Sequence, residues 1–84
     1  MMNKLETLKT NLEARINEVA EYQINIDNYT LAIAKIESEY SSNAAIVEFG
    51  ERLKELLEQH KIEQLKAIII RDVIADQLAE LEPS

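Results

Sequence analysis

The chain has 84 residues, no cysteine, nine Lys and Arg against sixteen Asp and Glu, and a formal charge of −7. That length holds one small domain with little interior, and the lack of cysteine excludes disulfides and thiolate metal sites. The anionic balance works against phosphate backbones and anionic lipid, so neither direct nucleic-acid binding nor membrane binding is expected.

The N-terminus, Met1-Met2-Asn3-Lys4-Leu5-Glu6, lacks the apolar stretch of a signal peptide. The longest purely apolar run, Ala67-Ile68-Ile69-Ile70, is far short of the ~20 residues that span a bilayer. A cytoplasmic protein is the expectation, in the bacterial host if the chain is phage-encoded. Size and charge would suit a small bacterial or phage accessory protein.

One Gly and one Pro occur, so the chain has few places to turn. The first half carries a heptad pattern with Leu5, Leu12, Val19, Ile26, Ile33 and Tyr40 at a, and Leu8, Arg15, Tyr22, Tyr29 and Ile36 at d. Such a run predicts a long helix with one packing seam. Asn3 with Glu6 three residues on forms a capping-box start. Helix 1 is expected over about residues 3–40. Arg15 at a seam position should extend its charge to water along its aliphatic stem.

The small polar residues Ser41, Ser42 and Asn43 mark the turn, at 41–43. Helix 2 is expected over about 43–82, ended by Pro83. Its seam is assigned as Ile46, Leu53, His60, Ala67, Ile74 and Leu81 at a, with Phe49, Leu56, Glu63, Ile70 and Gln77 at d. Gly50 sits inside this helix at a cost of ~1 kcal/mol relative to Ala. A break near Gln59-His60-Lys61, giving a three-helix bundle, is the alternative. Two helices of nearly equal length joined by a short turn predict an all-α antiparallel hairpin. Pairing Tyr40 with Ile46 sets the register, with Ile33 against Leu53 and Ile26 against His60.

Apolar residues remain beyond the seam: Ile16, Ile24 and Leu31 on helix 1, and Leu57, Ile62, Leu65, Ile68, Ile69 and Val73 on helix 2. Together they exceed what a small monomer leaves in water. They are expected to form the core of a homodimer, two hairpins making a four-helix bundle, or the core of a three-helix fold, or a docking face for another protein.

No residues suggest chemistry. His60 is the sole histidine, and His60-x-x-Glu63 reverses the Glu-x-x-His order of di-iron bundles, whose place before His60 is taken by Leu57. His60, Glu63 and Tyr22 are read instead as a polar layer that fixes register. The serines lie near the turn or at the end, far from His60, and no Gly-rich phosphate loop exists. No catalytic residue, cofactor or metal is expected. Glu48, Glu51, Glu55 and Glu58 form an acidic stripe, with bases at i,i+3 and i,i+4 that dilute it. The expected function is a non-enzymatic helical interaction module, an adaptor, small chaperone or regulator. The alternative is an acidic inhibitor of a nucleic-acid-binding protein, a DNA mimic of the counter-defence type.

Overall fold

The computed structural model describes residues 3–81. Two helices fill it: α1, Lys4–Glu39, and α2, Ala44–Leu81. They lie antiparallel as a hairpin measuring 60 × 26 × 14 Å. α2 runs unbroken through Gln59-His60-Lys61, so the three-helix alternative does not hold. Continuity follows from the absence of Gly or Pro in that stretch. The expected end of α2 at residue 82 and its termination by Pro83 lie outside the described residues.

Asparagines start both helices. The Asn3 side chain accepts from the Glu6 backbone N–H at 2.8 Å. Asn43 does the same for Ile46 at 3.2 Å. Each supplies one acceptor to backbone donors that the first turn leaves without an intrahelical partner. Between the helices, the Asn43 N–H donates to the Tyr40 carbonyl at 3.0 Å, and the Tyr40 N–H donates to Ile36 at 2.9 Å. Helix 1 stops one residue short of Tyr40, whose side chain is exposed rather than seated in the seam.

The seam of α1 is the expected one. Its inward residues run through Leu5, Leu8, Leu12, Arg15, Val19, Tyr22, Ile26, Tyr29, Ile33 and Ile36, all buried or half-buried. The seam of α2 differs from expectation. Ile46, Leu53, His60, Ala67 and Ile74 face inward, but their companions are Gly50, Leu57, Gln64, Arg71 and Leu78. Phe49, Leu56 and Ile70 are exposed, and so is Glu63. The helix is thus turned by one slot of the heptad wheel, roughly 50°, from the expected orientation. Counted by apolar content alone, the rejected set is the better one. Local fit favours the observed one: Gly50 admits the Ile36 side chain closely, and Gln64 reaches polar partners on α1.

The expected register holds through the middle of the hairpin, but its end positions Tyr40 and Leu81 are exposed rather than seated in the seam. Ile33 and Leu53 share the core cluster with Ile36, and Tyr29, Ala32, Ile46 and Leu57 pack against it. His60 sits between the rings of Tyr22 and Tyr29, which flank Ile26 in the α1 seam. Among the described residues the core is a single line of seven buried hydrophobic residues, none of them completely enclosed. Two helices alone cannot surround a side chain, so each seam residue keeps one edge in water.

Candidate interaction surface

The turned seam redistributes the apolar residues outside it. Ile62, Leu65, Ile69 and Val73 are each half or more exposed. Their spacing of three, four and four places them on one line along α2, pointing away from α1. Ile70 flanks this line and is nearly as exposed. Two residues expected here are elsewhere. Leu57 packs against the Ile33–Ile36–Leu53 cluster and belongs to the seam. Ile68 is half-buried on the flank of the seam.

On α1, Ile24 and Leu31 are the most exposed large apolar residues, at 60% and 68%, with Ile16 at 49%. Asp27 and Asn28 interrupt the surface between Ile24 and Leu31. These three residues are therefore separate spots rather than a stripe.

The same outward line of α2 that carries Ile62 and Leu65 continues toward the turn as Glu48, Glu51, Glu55 and Glu58, all exposed. Three of these acids are ion-paired within the helix: Glu48 with Arg52 at 3.3 Å, Glu51 with Lys54 at 3.0 Å and Glu58 with Lys61 at 3.4 Å. Lys54 also reaches Glu37 of α1 at 3.4 Å. Its hydrogen bond to Glu51, then the Glu51 charge and a hydrogen bond to Glu37, hold the ammonium above its ordinary value. Glu39 raises Lys35 in the same way through a hydrogen bond. Both lysines are exposed, so these pairs add little to stability.

The polar layer in the seam is not the expected one. Glu63 lies on the outer flank and pairs with Lys66 at 2.9 Å. Its place is taken by Gln64, whose Nε2 donates to the Val19 carbonyl at 3.2 Å and to Gln23 Oε1 at 2.9 Å. Gln23 in turn donates to Asp27 at 2.9 Å. Sequence reading missed Gln64 because both partners, the Val19 carbonyl and the Gln23 side chain, lie across the hairpin on α1, where periodicity within α2 does not reveal them. His60 stacks on Tyr29, with centroids 5.0 Å apart and planes 25° apart, and tilts against Tyr22 at 5.8 Å. Both imidazole nitrogens are buried without a hydrogen-bond partner. Arg15 carries its charge to the surface as expected and pairs with Glu18 at 3.3 Å.

Beside the turn, Ile33, Ile36, Val47 and Gly50 line an open groove of about 230 Å³ rimmed by Glu37, Glu51 and Lys54. Among the described residues, no group of three or more His, Asp or Glu is disposed to hold a metal ion. No helix among them is long and apolar enough to cross a membrane.

No protein-family model matches this chain, and no curated protein or solved structure matches it either.

Proposed function

We propose that this protein is a non-enzymatic helical interaction module, an adaptor, small chaperone or regulator, that acts by self-association and by binding other proteins. The observation that carries this reading is the aliphatic line Ile62, Leu65, Ile69 and Val73 on the outer face of α2. Covering a large aliphatic side chain is worth ~1.5–3 kcal/mol, so four such residues on each copy supply a substantial drive to associate. The hairpin has few other sources of stability, with one line of core and no cysteine.

Sedimentation equilibrium at micromolar concentration tests the proposal. The expected result is a mass above the 9.6 kDa of one chain, with a melting temperature that rises with protein concentration. The substitutions Leu65→Glu and Ile69→Glu should return the mass to that of a monomer while leaving it helical. A monomer whose melting is independent of concentration would sink the self-association reading.

A second reading is supported by the alignment of Glu48, Glu51, Glu55 and Glu58 on one outward line. A row of carboxylates on a rigid rod could occupy the phosphate-binding groove of a nucleic-acid-binding protein. The ion pairs to Arg52, Lys54 and Lys61 weaken its field, which ranks this reading second. Complexes of this type should weaken steeply between low and moderate salt. Replacing all four acids with Gln should abolish them. A partner retained by the quadruple variant at normal strength would end the mimic reading.

A further inference from the structure

We infer that the occupant of the α2 line is a second copy of this chain, packed antiparallel along the C-terminal half of α2, with the two-fold axis level with Ala67. The inference rests on the self-association reading and adds its orientation and its position.

Two features on the same face support it. The first is the spacing of the line itself. Read in reverse, Ile62, Leu65, Ile69 and Val73 give nearly the same intervals. An antiparallel copy centred on residue 67 therefore brings Leu65 level with Ile69 of the second copy and Ile62 close to level with Val73. An isologous contact of this kind needs one self-complementary patch, which this line supplies.

The second feature is charge. The apolar line runs directly into the exposed Glu48–Glu58 run on the same outward face. A parallel copy in register would place each of these carboxylates beside its own counterpart, and directly facing like charges are unfavourable. The antiparallel copy sends the two acidic runs to opposite ends. With a 1.5 Å rise per residue, the two Glu51 positions then lie about 50 Å apart. That is several Debye lengths at physiological salt, so their repulsion is screened out. Near the edge of the contact, Glu58 comes level with Asp76 of the second copy. Lys61, which already holds Glu58 at 3.4 Å, lies between Asp72 and Asp76 of that copy and can bridge both. Because the line points away from α1, the two α2 helices form the centre of the pair and the two α1 helices its outer edges.

A distance measurement by double electron–electron resonance tests this. The chain has no cysteine, so Glu51→Cys accepts a single spin label at a site outside the proposed contact. The expected intermolecular distance is about 50 Å, by the helical rise. A parallel pair would give a distance set by the ~10 Å spacing of neighbouring helices. Either that short distance or any value well below the expected one, in a sample sedimenting at twice the 9.6 kDa of one chain, would overturn the orientation and leave self-association standing. A sample at 9.6 kDa with no intermolecular distance would overturn both. Adding Leu65→Glu to the labelled protein should abolish the distance while circular dichroism still reports helix. Persistence of the distance in that variant would place the contact on another face and refute the inference.

Discussion

The imidazole of His60 lies stacked on the ring of Tyr29, 5.0 Å between centroids, in the middle of the seam, and neither of its nitrogens finds a hydrogen-bond partner. Aromatic pairing contributes ~0.5–1.5 kcal/mol, whereas an unsatisfied buried polar group costs ~1–3 kcal/mol. The two nitrogens together outweigh the two aromatic contacts, to Tyr29 and to Tyr22. His60→Leu should therefore raise the stability of the hairpin by about 1 kcal/mol, a rise of roughly 4–8 °C in melting temperature for a chain this size. Thermal denaturation at one fixed protein concentration measures it. A variant that melts lower than the parent would mean that stacking dominates. Glu63→Leu alone should leave the seam unchanged, because Glu63 is on the outer flank with Lys66.

Gly50 offers a second route to a more stable hairpin. Ala is favoured over Gly in a helix interior by ~1 kcal/mol. The added Cβ would stand 3.3 Å from Ile36 Cγ2, which requires Ile36 to yield by a few tenths of an ångström. Ile36 borders the open groove by the turn, so it has room to yield. Gly50→Ala should stabilise by up to about 1 kcal/mol in urea denaturation, the propensity gain less a small packing cost. A loss of stability would show that the helices at this point are held by the absence of a side chain.

How far the sequence revealed this arrangement differs between the helices. On α1, Leu5 to Ile36 leave one inward face, since the residues on either side of it are mostly polar. On α2, both neighbours of the Ile46–Ile74 line are partly apolar. Phe49, Leu56 and Ile70 compete there with Leu57 and Leu78, and apolar content favours the wrong side. What decides between them is contact across the hairpin: Ile36 against Gly50, and Gln64 against the Val19 carbonyl. Neither can be read from periodicity within one helix. The outward line of Ile62, Leu65, Ile69 and Val73 was legible because no rotation of this size brings it inward. Leu57 was misplaced by the same turn that exposed Phe49.

The Gln23–Gln64 hydrogen bond is the side-chain bond joining the two helices among the described residues for which a double-mutant cycle is straightforward. Both partners reach solvent, so neither Ala variant leaves a buried orphan. The cycle Gln23→Ala, Gln64→Ala should give a coupling energy of about 0.5–1 kcal/mol, the range for a neutral pair. Gln64→Ala should cost more than Gln23→Ala, because it also gives up the bond to the Val19 carbonyl. A coupling indistinguishable from zero would show that the layer contributes no pairwise energy in solution.

The exposed aliphatics of α1 provide the comparison that isolates the α2 line. Ile24 and Leu31 are more exposed than any member of that line. If exposure alone drove association, they would dominate it. Association instead requires apolar area that is continuous enough to exclude water along a strip, and Asp27 and Asn28 break the strip between Ile24 and Leu31. Burying the α1 spots against another helix would trap those two polar groups, at a desolvation cost that offsets the gain. The paired substitutions Ile24→Gln and Leu31→Gln should leave the sedimentation mass unchanged, while Leu65→Glu with Ile69→Glu should reduce it to that of one chain. Both pairs lie outside the seam, so both variants should keep the helical signal of the parent. The opposite pattern, with mass lost on changing α1 and kept on changing α2, would transfer self-association to α1 and remove the basis for the antiparallel arrangement along α2.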